Sequence, residues 1–183
     1  MRSLIYIIGG MCTGKSTLAK EFEKKGAHFI DLDFYGRKVA SGLKDFSNSD
    51  ELLEYMSTSR ENLLRINNVI HPKVYDMLLE DMPECGTIVV EYSGYSASQG
   101  RNDDLFLKDA DFVIATSVPY DVRKEWAEKR LLDLKRFEKL VCLQPTQGDY
   151  EGVADLIFEN GEVSREVRDE RIERLWLACS KRI

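Results

Sequence analysis

Gly9, Gly14, Lys15 and Ser16 occur in the spacing G-x-x-x-x-G-K-S inside "GGMCTGKST", directly behind the apolar run "LIYII". Glycines at the first and sixth positions accept backbone angles and close approaches that a β-carbon forbids. The amide N–H groups of Gly9, Gly10, Met11, Cys12, Thr13 and Gly14 can then converge on phosphate oxygens, backed by the positive end of a helix starting near Lys15. Lys15 is placed to bridge the β- and γ-phosphates of ATP, and the Ser16 hydroxyl to ligate Mg²⁺, with Thr17 directly behind it. The loop predicts a nucleotide site but does not say where a phosphoryl group goes.

A phosphoryl acceptor needs an acidic group near its hydroxyl, residues that hold it, and a mobile cationic cover. "GAHFIDLDFYGR" puts Asp31 and Asp33 two apart at the end of a strand candidate, a spacing that points both side chains the same way. At the carboxyl end of a parallel strand, Asp33 would orient or deprotonate a hydroxyl; the competing reading makes it the cap of the next helix. Arg37, four residues on, suits an anionic acceptor. Residues 123–139 hold seven Lys/Arg against four Asp/Glu. Arg130 and Arg136 are candidates there to close over phosphates, against the plainer reading of a solvated face held by i,i+4 pairs. "EYSGYSASQGRNDD" (91–104) reads equally as an acceptor loop contacting a base through Tyr92 or Tyr95 and as a surface crossover. No N-K-x-D stretch is present to read guanine.

The elements that must position these residues alternate along the chain. "SLIYII" (3–8), "HFIDL" (28–32), "TIVVEY" (87–92), "DFVIAT" (111–116) and "DLIFEN" (155–160) read as strands covered on both faces, as in parallel sheets. Helical spacing joins Leu18, Ala19 and Phe22; Leu63, Ile66, Val69 and Ile70; and Ile172, Leu175, Trp176 and Cys179. Pro119 suits the first turn of a long charged helix reaching towards Val141. The pattern predicts one α/β domain over 1–183 with a mainly parallel sheet and no internal repeat.

Composition narrows the partners. A net charge of −6 and a pI near 5.1 argue against a nucleic-acid partner. No apolar run reaches the ~18 residues of a membrane span. The four cysteines are scattered with no C-x-x-C pair, which fits reduced thiols in a cytoplasm better than disulfides or zinc.

Taken in order, "GGMCTGKSTLAK", "GAHFIDLD" with Arg37, "NLLRINNVIHP" and "LIFENGEV" resemble the dephospho-coenzyme A kinases, members of the P-loop nucleoside and nucleotide kinase superfamily. The resemblance implies a central five-stranded parallel sheet flanked by helices, a helical acceptor-binding insertion at about 44–82, and a lid at about 121–147. It implies ATP and Mg²⁺ as cofactors and dephospho-coenzyme A as acceptor, with Lys15, Asp33 and Arg130 as catalytic residues. Asp33, Arg37, His71 and Glu91 would surround the acceptor, and Asn160 would join the nucleotide site. The chain departs from the family's pattern in two places. "VEYSGYSAS" stands where the family has D-x-P-L-L-F-E, and Leu140 stands where the arginine of R-x-x-x-Q is expected. A kinase for another nucleotide or small metabolite, and a nucleotide-binding protein without turnover, are the alternative readings.

Overall fold

The computed structural model describes residues 2–98 and 100–180. The strand candidates form β1 (Arg2–Ile8), β2 (His28–Asp31), β3 (Gly86–Glu91), β4 (Phe112–Ser117) and β5 (Leu156–Glu159). They make one sheet in the order β2-β3-β1-β4-β5, parallel at every pairing. The continuous apolar runs have the physical reason expected of them. Leu4, Tyr6 and Ile8 of β1 face one core, while Ile5 and Ile7 face another, as alternation along a strand requires.

Helices cover both faces. Leu18, Ala19 and Phe22 of α1 (Lys15–Lys24) and Ile172, Leu175 and Cys179 of α8 (Arg165–Ser180) pack on the Ile5–Ile7 side. Between β2 and β3, α2 (Leu32–Ala40), α3 (Ser49–Thr58) and α4 (Arg60–Asp81) bring Leu32, Tyr35, Leu52, Ile66, Ile70, Val74 and Leu78 to the other side. After β4 come α5 (Tyr120–Lys129), α6 (Leu134–Leu143) and the short α7 (Gln147–Glu151). Among the described residues no helix is long and apolar enough to cross a membrane.

Three local expectations are corrected. The long helix from Pro119 towards Val141 is two helices: Leu131 turns left-handed at φ 56°, and the Asp133 carboxylate caps α6 by accepting from Lys135 and Arg136 N–H. The helix that carries Leu63, Ile66 and Ile70 extends well beyond that stripe, because α4 runs on through Pro72 to Asp81; Val74 and Leu78 bury against the sheet and outweigh the backbone hydrogen bond that a proline cannot donate. Val69 lies on the exposed side of that helix, 46% accessible, rather than with Ile66 and Ile70.

Candidate active site

Every strand delivers a site residue at its carboxyl end, where parallel sheets place ligands. The loop after β1 is built as its glycines require. Gly9 has φ +145°, and a β-carbon there would stand 2.2 Å from Thr116 Oγ1; Gly14 has φ +90°, and its β-carbon would meet Asn160 Nδ2 at 2.1 Å. Buried hydroxyls pin the loop to β4. Thr13 Oγ1 donates to the Gly10 carbonyl at 2.8 Å and meets Thr116 Oγ1 at 2.5 Å, and Thr116 Oγ1 reaches the Ile8 carbonyl at 3.1 Å. From beyond β5, Asn160 Nδ2 donates to the Thr13 carbonyl at 3.1 Å, while its buried Oδ1 has no partner among the described residues. Cys12 sits at φ 60° and packs with Ala127 and Phe137, which fastens the loop to α5 and α6.

Lys15 is buried, and its Nζ donates to the carbonyls of Gly9 (3.1 Å) and Gly10 (3.0 Å). Burial depresses its pKa, while Glu91 and Asp33 pull the other way. Ser16 begins the exposed side of α1 with Thr17, and its hydroxyl donates to Glu91 Oε1 at 2.8 Å. Glu91, at the end of β3 opposite Ile7, has its pKa raised by burial against the Ser16 hydrogen bond and the Lys15 charge.

Asp31 and Asp33 do not share a strand face. β2 ends at Asp31, and it is Asp31 that caps α2, accepting the Asp33 N–H at 2.8 Å. Asp33 is therefore in the first helical turn and its carboxylate is released from capping. Asp33 lines a cavity and is exposed to it. Burial raises its pKa, and Lys15 opposes the rise. Arg37 lines the same cavity and lies 3.6 Å from Asp31 Oδ2.

The cavity, of about 690 Å³, lies between α2, α3, α4, the segment after β3 and the end of α6. His71 is on its wall, with its ring edge-on to Phe106 (5.3 Å) and Tyr92 (6.0 Å). Burial drops its pKa to about 4, so the imidazole is neutral at physiological pH. Tyr92 and Tyr95 combine both readings of the 91–104 segment: each lines the cavity yet is a core residue. The Tyr92 hydroxyl donates to Asp104 at 3.2 Å, and Tyr95 packs on Tyr150. Leu140 and Leu143 give the α6 side of the cavity an aliphatic surface.

The basic segment divides. Arg130 caps α5 and is exposed. Arg136 is 3.5 Å from Asp50 on α3. Arg123 instead reaches the phosphate loop, donating through Nε to the Met11 carbonyl at 2.8 Å. Gln144 Oε1 accepts from the Met11 N–H at 2.9 Å. Arg123, Gln144 and Thr116 are site residues that the residue types alone did not single out. Thr116 was open to discovery, since it ends a recognisable strand; Arg123 was one charge among seven.

No protein-family model matches the chain. The chain is 26% identical to a dephospho-CoA kinase of Thermobifida fusca, over 97% of this chain and 96% of the relative. It is also 26% identical to one of Chlorobium luteolum, over 91% and 86%. In structure it superposes on a Thermus thermophilus protein with a TM-score of 0.77 at 18% identity, covering 97% of each chain. Shikimate kinase from Acinetobacter baumannii gives 0.65 at 18%, covering 100% of this chain and 96% of that one. Dephospho-CoA kinase from Campylobacter jejuni gives 0.57 at 16%, covering both chains fully. The chain has the fold of the P-loop kinases, and in sequence it is similar, at 26% identity, to proteins named dephospho-CoA kinase.

Proposed function

We propose that the chain transfers the terminal phosphoryl group of ATP to an alcohol, and that the alcohol is the ribose 3′-hydroxyl of dephospho-coenzyme A. The observation that carries this reading is the meeting of two half-sites. Asp33 lines the cavity and is also coupled electrostatically to Lys15 of the phosphate loop. A donor phosphate and an acceptor hydroxyl can therefore share one carboxylate. The names of the sequence relatives support the acceptor, as does the size of the cavity, which is ample for an extended, partly apolar substrate.

The residues fit a nucleotide with its metal ion. Gly9 and Gly14 let Thr116 and Asn160 pack where a β-carbon would stand, which holds the loop in shape, and the Ser16 hydroxyl already lies on a carboxylate. Ser16, with Glu91 beside it, would hold Mg²⁺, which supplies charge neutralisation at the β- and γ-phosphates. Gly9, Gly10, Met11, Cys12, Thr13, Gly14 and Thr17 wrap the phosphates, and Asn160 keeps the loop in shape from behind. Lys15 draws charge from the phosphoryl oxygens. Asp33 takes the hydroxyl proton as the acceptor oxygen bonds to the γ-phosphorus and the bond to the β–γ bridging oxygen breaks. Arg37 on α2 and the neutral His71 of the helical region at 44–82 contact the acceptor. Arg130 belongs to a lid at 121–147, which excludes water on closing. The protein acts as a single domain in the cytoplasm on small molecules, without nucleic acid or membrane.

The test is ADP formation from ATP and Mg²⁺ with dephospho-coenzyme A, set against nucleoside monophosphates and small alcohols. Selective turnover with dephospho-coenzyme A, abolished by Lys15→Ala in a folded protein, is the expected result. Turnover with another acceptor would retain the kinase and replace its substrate. That second reading has one observation in its favour: Tyr92, Ser93, Gly94 and Tyr95 line the cavity where the family has its Pro-Leu-Leu-Phe-Glu segment. No nucleotide binding at all would overturn both.

A further inference from the structure

Among the described residues, Arg123 is a half-buried cation without a counter-charge. It sits on the first turn of α5. Its Nε donates to the Met11 carbonyl at 2.8 Å and its Nη2 to Gln144 Oε1 at 3.4 Å. The guanidinium lies so close over Gly10 that a β-carbon there would be 2.6 Å from Nη2. Gln144 also accepts the Met11 N–H, so guanidinium, amide and loop close into one unit. Among the described residues no carboxylate lies within ion-pair distance of Arg123, whereas its helix neighbour Lys124 pairs with Glu138 at 2.8 Å.

Removing a charge from water without compensation is costly, and a guanidinium has five N–H donors, most of them still available here. Lys15 contacts the Gly9 and Gly10 carbonyls and Arg123 the Met11 carbonyl, so two cations bracket the same limb of the loop. The other candidates are less well placed, since Arg130 is exposed at the far end of α5 and Arg136 faces Asp50.

We propose that Arg123 is the second phosphate-binding cation of the site, contacting the γ-phosphoryl group of bound ATP and neutralising its charge during transfer. Gln144, which also lines the acceptor cavity, positions the guanidinium. This assignment rests on the phosphoryl-transfer reading but not on the identity of the acceptor.

The test compares binding of ADP and of the non-hydrolysable ATP analogue AMP-PNP, each with Mg²⁺, by calorimetry on the full chain. A charge-assisted hydrogen bond made to the γ-phosphate alone predicts that Arg123→Met weakens AMP-PNP about tenfold or more and ADP by less than about threefold. Equal weakening of both ligands, or of neither, would reduce Arg123 to a prop for the loop and overturn the proposal. Arg123→Gln keeps a donor towards Met11 and reads the same ratio should Arg123→Met not fold. With an acceptor that turns over, kcat falls about 10²–10³-fold in Arg123→Met and is partly restored by added guanidinium. If dephospho-coenzyme A gives no turnover, that substrate fails by itself, while the AMP-PNP to ADP ratio still decides the role of Arg123.

Discussion

At the residue scale, the position of Asp33 turns on one hydrogen bond. Because Asp31 caps α2, the Asp33 carboxylate is left to face the cavity, and burial raises its pKa. A base must be ionised to act, so the acid limb of kcat/KM should lie above the ordinary carboxylate value of 3.8, with activity lost as pH falls through the raised pKa. Asp33→Asn should bind AMP-PNP as the wild type does and lose about 10²-fold or more in kcat. An unchanged rate would make Asp33 a bystander. His71 gives a second pH effect, on stability. Its folded pKa, about 4, lies below its ordinary 6.5, so the unfolded chain takes up the proton first. Stability from this group therefore falls as pH drops from about 6.5 towards 4. The raised carboxylates of Asp33 and Glu91 act in the opposite direction, so the measurement is the difference between wild type and His71→Phe in chemical denaturation across that window. A gap that does not widen in the wild type's disfavour at low pH would contradict the assignment of a buried neutral imidazole.

At the element scale, what matters is how the loop and the lid helices are held. The turn between α5 and α6 places Leu131 at φ 56° with 93% of its surface exposed, so a left-handed cost is borne with no packing in return. Leu131→Gly should stabilise the protein by about 1 kcal/mol, read as a rise in Tm of about 2–4 °C. A fall would mean that the leucine packs in solution, as a closing lid would require. The helix break itself was not readable from periodicity, because the charged stripe continues across it. Nor was the passage of α4 through Pro72, which depends on Val74 and Leu78 finding the sheet.

For the molecule as a whole, nucleotide binding should be visible as stability. A ligand at a hundred times its Kd adds about 2.7 kcal/mol, which for a chain of this size raises Tm by about 5–10 °C. Gly9→Ala should lose that shift. Its β-carbon would meet the Thr116 backbone oxygen at 2.9 Å as well as the hydroxyl, and backbone cannot swing aside as a side chain can. A full AMP-PNP shift in Gly9→Ala would show that the loop does not need its left-handed geometry.

The sequence by itself determined the strands, the parallel sheet and the phosphate loop, because each is written in local terms: continuous apolar runs, their spacing, and glycines where a β-carbon cannot go. It also marked Lys15, Ser16, Asp33, Arg37, His71, Glu91 and Asn160 as residues to watch, the last four through resemblance or the chemistry of an acceptor. What they touch was decided only by the tertiary structure. Glu91 meets Ser16 across 75 positions of chain, Asn160 meets Thr13 across 147, and Arg123 meets Met11 across 112. Contacts at such separations depend on strand order and on which helix face finds the core. No pattern confined to one segment encodes either, so the second cation of the site could be recognised only once α5 had been laid against the loop.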